Sequence, residues 1–198
     1  MPVLILASAS TIRAQLLRQA GIDFDVTPAR IDEAALRQAL EAESAGPRDI
    51  ADALAEQKAV RITHRHPQTL VLGCDQVLEC DGTLYSKPDS PAEAQTQLAR
   101  LRGRTHRLHT AAVLCQEGQP IWRHVSTPQL TMRNFSDAFL DEYVTDNWDE
   151  IRLCVGAYQV EGLGIRLFER ITGDHFAILG LPLLELLTVL TRRGDIAG

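Results

Sequence analysis

Two lysines stand among eighteen arginines in this chain of 198 residues, and both lie where a phosphate group could be bound. A composition this biased uses arginine for ordinary surface cations, so a retained lysine indicates a need for a compact ammonium. Lys58 lies four residues from both Leu54 and Ile62 in a predicted helix, along its apolar stripe. Lys87 follows a predicted hairpin, in Ser86-Lys87-Pro88. We expect both to bind phosphate oxygens; the alternative is that they persist by chance and extend from the edge of the core.

A second candidate phosphate site lies where the first apolar strand runs into a helix. Ser8 and Ser10 follow the strand predicted over Val3–Ala7, and Arg13 lies in the first turn of a helix predicted over Thr11–Gln19. Backbone N–H groups and the positive end of the helix dipole meet at such a junction. The hydroxyls and the guanidinium add donors for an anion. The alternative is that Ser10 is only an N-cap and Arg13 a solvated residue.

Carboxylates that could hold a metal ion or activate water follow two other predicted elements. Asp75 comes directly after the buried strand predicted over Thr69–Cys74, at the edge where ligands of open α/β sheets bind. Asp32-Glu33 supplies further carboxylates in a predicted loop. Two oxygen ligands together with a triphosphate are how Mg²⁺ or Mn²⁺ is usually held. The alternative for Asp75 is a strand-end residue that satisfies nearby amides.

A lone carboxylate, Glu161, lies in a segment that contains Gly156, Gly162 and Gly164. The glycines predict a closely packed backbone that directs Glu161 into a pocket. A bulged strand would explain the glycines but not an inward carboxylate.

Composition narrows the class of protein. With 45% apolar and 23% charged residues, the chain is typical of a globular protein, and its net charge of −6 argues against binding a nucleic acid polymer. A small anion stays compatible with that charge where a few cations converge. The early apolar stretch is short and no basic segment precedes it, so we expect neither a signal peptide nor a membrane span. Four cysteines without a C-x-x-C pair favour free thiols in a reducing cytoplasm.

Strands and helices alternate along the chain, which predicts an α/β fold around a mixed sheet. Asp81-Gly82 is a hairpin signal, and whether Ala34–Ala45 is ordered stays open. No repeat or linker interrupts the chain, so we expect a single domain over residues 1–198. Capping signals and apolar runs predict helices over Asp49–His64, Pro91–Arg102, Ser136–Asn147 and Pro182–Gly194, and strands over Phe24–Thr27, Leu108–Cys115 and Ile121–Met132.

These residues belong to motifs that together resemble the Maf nucleotide pyrophosphatases. The motifs run in order over nearly the whole chain: L-I-L-A-S-A-S-x-x-R at 4–13, D-E at 32–33, A-E-Q-K-A at 55–59, G-C-D-Q at 73–76, S-K-P at 86–88, G-x-x-H-x-x-x-T-A at 103–111, G-A-Y-Q-V-E-G-L-G at 156–164 and G-L-P at 180–182. The resemblance implies the fold shared with inosine triphosphate pyrophosphatases, an elongated mixed sheet flanked by helices, with two lobes and a central cleft.

The resemblance also implies an activity. It is that of a cytoplasmic hydrolase that needs a divalent cation (Mg, Mn or Co) and cleaves a nucleoside triphosphate to the monophosphate and pyrophosphate, as house-cleaning of modified nucleotides. By position, Asp75 matches the general base, and Glu33 with Asp75 the acidic pair of the metal site. The phosphate-binding set is Ser8, Ser10, Arg13, Lys58 and Lys87.

Three positions match the substrate selectors of this family: Ile12, Gln76 and Glu161. Gln76 and Glu161 resemble the branch that acts on 7-methyl-GTP, whereas the branch that acts on dTTP and UTP carries Thr and Gln there. Ile12 departs from the Trp of the 7-methyl-GTP branch and removes a stacking contact worth up to about 2 kcal/mol on a cationic base.

Two other functions remain open from the sequence. One is a pyrophosphatase of broad specificity, and the other is a nucleotide-binding regulator of cell division or septum formation. Asp75 and both lysines favour catalysis, because binding alone would not require a base. We expect no partner in a membrane, and a homodimer is left open.

Overall fold

The computed structural model describes residues 4–197, and these form eight β-strands and seven α-helices. This confirms the predicted mixed α/β fold; the first predicted residue of the opening strand, Val3, lies outside the described residues. The strands are β1 Leu4–Leu6, β2 Phe24–Val26, β3 Leu70–Cys80, β4 Thr83–Tyr85, β5 Thr105–Gln116, β6 Gln119–Ser126, β7 Gln129–Met132 and β8 Phe168–Thr172. The helices are α1 Thr11–Gln19, α2 Glu33–Ala42, α3 Pro47–Thr63, α4 Pro91–Leu101, α5 Asp137–Ile151, α6 His175–Ile178 and α7 Leu183–Arg193, with a 3₁₀ helix over Leu163–Leu167.

The chain divides into two compact units. The first unit comprises Met1–Gln76, Thr110–Ser126 and Asp174–Gly198, and the second comprises Val77–His109 and Thr127–Gly173. Strands β3 and β5 each contribute residues to both units. The single domain expected over residues 1–198 stays a prediction.

The first unit contains the parallel strands β1, β2 and the first part of β3, together with the antiparallel pair of β5 with β6. β1 pairs in parallel with β2 on one side and with β3 on the other, with Leu4 opposite Phe24 and Leu70. Parallel strands are covered on both faces, which explains the continuous apolar runs. The core between strands and helices contains Leu6, Leu17, Leu72, Leu114 and Leu186, all fully buried. This packing fixes the carboxyl end of β1 and the neighbouring residues of β3.

The second unit is antiparallel. β3 turns into β4 through Asp81 and Gly82, whose φ angles of 49° and 77° confirm the predicted hairpin. The first residues of β5 pair with β7, and β7 pairs with β8.

Helix ends follow the capping signals closely. The side chains of Ser10, Ser90 and Ser136 each accept a hydrogen bond from a first-turn amide, and α1 has the predicted bounds. Gly194 ends α7 with a φ of 78°, a left-handed conformation that glycine adopts without strain.

Several elements differ from the sequence-based expectation. The strand expected over Ile121–Met132 is two strands, β6 and β7, because Pro128 between them has no N–H for a sheet. β3 continues to Cys80, past the predicted end. The helix α2 covers part of the segment whose order was open, and β8 and α6 were not predicted. Within residues 4–197, no helix has the length and apolarity to cross a bilayer.

Candidate active site

Lys58 lies at the centre of a cluster of charges in the first unit. Its side chain is 10% exposed, and its Nζ lies 2.6 Å from Asp75 Oδ1 and 3.0 Å from Glu33 Oε1. Leu54 and Ile62, four residues to either side, are buried as predicted. The apolar stripe of α3 therefore places this ammonium beside Asp75, which lies within β3 and not directly after the strand as predicted. One cation thus joins the two predicted acidic residues.

Gly73 sets the distance between α3 and β3. A Cβ at this position would lie 2.0 Å from the carbonyl oxygen of Ala55 and 2.8 Å from the backbone nitrogen of Ala59. Both contacts are with backbone, so neither can be relieved by a side-chain rotation. Glycine permits this close approach of a helix to a strand, and the approach lets Lys58 reach Asp75.

Asp75 is a buried carboxyl with a perturbed pKa. Burial raises the pKa of Asp75, while the Lys58 ammonium and, to a lesser extent, the Arg13 guanidinium lower it. A carboxylate with a raised pKa is a better proton acceptor near neutral pH than an ordinary one. The chemistry that this environment supports is proton transfer from a bound molecule such as water.

Arg13 and Ser8 lie together at the junction of β1 and α1. The Nη1 of Arg13 donates to Ser8 Oγ at 3.2 Å and to the carbonyl of Cys74 at 3.0 Å, and its Nε donates to the carbonyl of Gly180 at 2.7 Å. Arg13 is therefore not the solvated residue of the alternative interpretation. Its Nη2 makes no hydrogen bond within the described residues, which leaves this nitrogen as a donor for an anion.

Ser8 and Ser10 have different hydrogen-bonding roles at this junction. Ser8 Oγ accepts from the backbone nitrogen of Ser10 at 3.2 Å as well as from Arg13, so its own hydroxyl hydrogen can be donated to a ligand. Ser10 is the N-cap of α1, and its Oγ accepts from the backbone nitrogen of Arg13 at 3.4 Å. Ser10 binding to phosphate stays a prediction. Ile12 is half-buried in the first turn of the helix.

Gln76 is half-buried and held by its side-chain nitrogen. Nε2 donates to Thr110 Oγ1 at 2.8 Å and lies 3.0 and 3.1 Å from the carbonyl oxygens of Ala177 and Ile178. Thr110 Oγ1 in turn donates to the carbonyl of Ala177 at 2.8 Å. The carboxamide therefore has a fixed orientation beside α6.

Lys87 and Glu161 belong to the second unit, and both are exposed. Burial raises the pKa of the Cys154 thiol, Glu161 raises it further and Lys87 lowers it, so both charges lie near that sulfur. Their roles towards phosphate and base stay predictions.

Glu161 is exposed in a turn before the 3₁₀ helix so that, contrary to expectation, its carboxylate is not enclosed by the glycine segment. That it faces a nucleotide pocket stays a prediction. The close packing that the glycines predicted is present at Gly164, where a Cβ would lie 2.4 Å from the Gln159 carbonyl oxygen and 2.6 Å from Tyr143 Oη.

Glu33 and Asp75 can supply part of a metal site. Asp32 is the N-cap of α2 and accepts from the backbone nitrogen of Ala35 at 3.0 Å, which leaves Glu33 in the first turn to reach Lys58. Their two carboxylate oxygens already converge on one cation. Within residues 4–197, no group of three or more His, Cys, Asp or Glu side chains could hold an ion. Two carboxylates nevertheless suit Mg²⁺, which takes its other ligands from phosphate oxygens and water.

Three residues of this site were missed by the sequence analysis: Gly73 as a packing residue, Thr110 and Gly180. Thr110 and Gly180 lie in the motifs G-x-x-H-x-x-x-T-A and G-L-P, which identified a family without indicating a role. Gly180 has a φ of 101°, and a Cβ there would lie 3.1 Å from Arg13 Nε. Both its backbone conformation and the small space beside its Cα therefore favour glycine.

Comparison with known proteins gives consistent matches over nearly the full chain. A family profile described as Maf-like protein matches residues 3–193. A protein of Roseobacter denitrificans named nucleoside triphosphate pyrophosphatase is 55% identical over 193 residues, which cover 98% of this chain and 97% of the relative. A protein of Rhizobium meliloti named 7-methyl-GTP pyrophosphatase is 48% identical over 195 residues, 98% of each chain. A protein of Paramagnetospirillum magneticum named nucleoside triphosphate pyrophosphatase is 47% identical over 97% of this chain and 99% of its own.

Proposed function

The chain belongs to the Maf family and is a nucleoside triphosphate pyrophosphatase, and we propose that the nucleotide it prefers is 7-methyl-GTP. Two considerations support this choice of base. Gln76 and Glu161 match the selector residues of the 7-methyl-GTP branch, and the relative from Rhizobium meliloti bears that activity in its name at 48% identity. The observation that supports the catalytic assignment is that the ammonium of Lys58 contacts both Asp75 and Glu33.

The reaction releases a nucleoside monophosphate and pyrophosphate, so the bond that breaks joins the α-phosphorus to the oxygen that bridges to the β-phosphorus. The oxygen of a water molecule forms the new bond to the α-phosphorus, and pyrophosphate leaves with the bridging oxygen. Asp75 accepts a proton from that water, and burial, which raises the pKa of Asp75, strengthens it for this task.

The cations of the first unit stabilise the negative charge of the triphosphate. Arg13 offers Nη2 of its guanidinium and Ser8 its hydroxyl hydrogen, and both side chains are oriented by their hydrogen bonds to the protein. Lys58 offers an ammonium that is shielded from water. Donors that are already in place cost no reorganisation when charge develops on the phosphate oxygens.

Glu33 and Asp75 are the residues that would hold a divalent cation. Such an ion, when bound, would neutralise charge on the phosphate oxygens and lower the pKa of a water. Lys58 holds the two carboxylates close to each other through Asp75 Oδ1 and Glu33 Oε1.

Base preference is expected to be modest. The 7-methylguanine base is cationic, but an exposed carboxylate such as Glu161 contributes only about 0–1 kcal/mol to pairing with it. Ile12 supplies apolar contact without aromatic stacking. We therefore expect canonical purine triphosphates to be hydrolysed as well, with a lower kcat/KM.

A panel of canonical and modified triphosphates tests this function, with Mg²⁺, Mn²⁺ or Co²⁺ and with a chelator, and with pyrophosphate and orthophosphate measured separately. We expect pyrophosphate release that needs the cation and is most efficient with 7-methyl-GTP. Glu161→Gln should lower the preference for 7-methyl-GTP over GTP, whereas Glu169→Gln, an exposed carboxylate of the same unit, should not. Highest efficiency with dTTP or UTP would refute the base assignment, and release of single orthophosphates would refute the reaction.

Asp75→Asn tests the proposed base. The amide has nearly the volume of the carboxylate but cannot accept the proton, so we expect kcat to fall by about 10²–10⁴-fold. Circular dichroism and the thermal midpoint should show that the variant is folded. Near-normal turnover would identify Asp75 as a structural residue within β3.

A further inference from the structure

The side-chain nitrogen of Gln76 is surrounded by three oxygen atoms. They are Oγ1 of Thr110 at 2.8 Å and the backbone carbonyls of Ala177 and Ile178 at 3.0 and 3.1 Å. All of these groups belong to the first unit. The two carbonyls come from the end of α6, a helix that Asp174 caps at its beginning.

Each of these oxygens can act towards Gln76 only as an acceptor. A carbonyl oxygen never donates, and the single hydroxyl hydrogen of Thr110 is donated to the Ala177 carbonyl at 2.8 Å. The two ends of a carboxamide have almost the same shape, so the surrounding hydrogen bonds decide which end is which. If the carboxamide were reversed, its oxygen would face two carbonyl acceptors, and Thr110 could donate to it only by giving up its hydrogen bond to Ala177. The nitrogen must therefore point into the protein.

The other end of the carboxamide is left for a ligand. Oε1 of Gln76 receives no hydrogen bond within the described residues, and it is not among their buried polar atoms that lack a partner. Because the side chain is only half-buried, this oxygen is open to the surroundings. Position 76 thus presents a hydrogen-bond acceptor and withholds its donors.

We propose that Thr110 is a positioning residue that, with the end of α6, locks Gln76 so that its carbonyl oxygen selects a nucleobase by an N–H donor. This inference rests on the proposed function, because it concerns the base of the triphosphate. Guanine offers N–H groups at N1 and at its 2-amino group, and the positive charge of 7-methylguanine strengthens them as donors. Hydrogen bonds assisted by charge are roughly twice as strong as neutral ones. A fixed acceptor therefore favours 7-methyl-GTP over GTP without a buried carboxylate.

The same segment also holds a phosphate-binding residue. Gly180, two residues after Ile178, accepts the hydrogen bond from Arg13 Nε at 2.7 Å. The backbone carbonyls of residues 177–180 therefore orient both a base selector and a cation for the phosphates. Thr110 reaches this segment through a side chain, so it can be altered while the backbone is kept.

Steady-state kinetics with 7-methyl-GTP provides the first test. Thr110→Val keeps the shape of the side chain but removes its hydroxyl. We expect KM to rise about tenfold, which corresponds to the loss of one neutral hydrogen bond, and kcat to stay within about twofold of wild type. Thr110→Ser should restore the wild-type KM. Gln76→Met should raise KM similarly, and the Thr110→Val/Gln76→Met double variant should lose no more than Gln76→Met alone, since both changes act through one carbonyl. Additive losses, or an unchanged KM in Thr110→Val, would overturn the inference.

Nuclear magnetic resonance of ¹⁵N-labelled protein provides a test that needs no activity. The carboxamide hydrogens of Gln76, identified by their loss in Gln76→Met, should exchange with water much more slowly than those of the exposed Gln38. The exchange should become fast in Thr110→Val and stay slow in Thr110→Ser. Equally fast exchange of Gln76 and Gln38 in the wild-type protein would refute the locked orientation. A protein with slow exchange that releases no pyrophosphate would refute the proposed function alone.

Discussion

At the scale of single residues, the two lysines of this chain have different surroundings. Lys58 is buried between two carboxylates, where an ammonium fits and a planar guanidinium would need more room. Lys87 is exposed in the loop after β4. The presence of lysine and not arginine therefore has a clear physical reason at position 58. At position 87 the surroundings supply no such reason.

Lys58→Arg should impair catalysis although the charge is kept. The larger guanidinium cannot occupy the position of Nζ, 2.6 Å from Asp75 Oδ1, without moving that carboxylate. A displacement of about 1 Å at a reacting group can cost about 10²-fold, so we expect at least that loss in kcat/KM. Lys87→Arg is also expected to lower kcat/KM, but by less. If both variants keep full activity, the lysines are there by chance.

The sequence predicted which residues belong to the site better than it predicted the surroundings of each residue. The predicted members do come together: Arg13 bonds to Ser8 and to the carbonyl of Cys74, and Lys58 contacts Asp75 and Glu33. The exposure of Glu161 could not be predicted, because the exposure of a turn residue depends on the packing of distant segments. Thr110 was missed for a related reason: its partners Ala177 and Ile178 act through backbone atoms, which carry no sequence signal.

At the scale of secondary structure, the contact of α3 with β3 is what assembles the charges. The cluster depends on Gly73 because the Ala55 carbonyl lies where any side chain would begin. Residues far from the substrate can thus control the distance between Lys58 and Asp75.

Gly73→Ala should loosen this contact. The added methyl would lie 2.0 Å from the Ala55 carbonyl oxygen, so α3 must move away from β3. Overpacking of this kind costs about 1–3 kcal/mol, and we expect the free energy of unfolding to fall by at least that amount, with loss of activity. The matched control is Gly162→Ala, where nothing lies within 4 Å of the added Cβ and φ is −123°. Urea denaturation compares the two; equal stability would show that α3 adjusts at no cost.

Elements with strong local signals were predictable, and those set by tertiary contacts were not. Ser90, Ser136 and Gly194 mark helix ends through hydrogen bonds that form within a few residues. The four residues of α6 show no helical period, so only the Asp174 cap indicates them in retrospect. Pro128 carried the signal that separates β6 from β7, because proline cannot donate within a sheet.

At the scale of the whole molecule, two buried titratable groups link stability to pH in opposite directions. The raised pKa of Asp75 means that the folded protein keeps this proton to higher pH than the unfolded chain, which favours the folded state as pH falls. His106 in the second unit acts in the other direction. Burial lowers the pKa of His106 to about 4, so the folded state excludes a proton that the unfolded chain accepts.

His106 is enclosed by aromatic rings. Its Nε2 lies 2.8 Å from Tyr158 Oη, its ring packs beside Tyr158 and Phe168, and Nδ1 has no hydrogen-bond partner within the described residues. An imidazolium would need partners for both N–H groups. This arrangement stabilises the neutral ring and disfavours the charged one.

The stability due to the neutral His106 should therefore be complete above pH 6.5 and be lost as pH falls towards 4. Linkage converts this difference in pKa into about 3 kcal/mol of unfolding free energy at most. His106→Phe keeps an aromatic ring but cannot titrate. It should be less stable at pH 7, because Tyr158 loses its partner, yet its stability should fall less steeply below pH 6.5.

Urea denaturation of wild type and His106→Phe over a range of pH measures this difference. Subtracting the two profiles removes the contribution of Asp75, which both proteins share. The control variant His66→Gln, at an exposed histidine, should retain the wild-type slope. Parallel profiles for wild type and His106→Phe would mean that the imidazole is protonated in the folded protein as readily as in the unfolded chain.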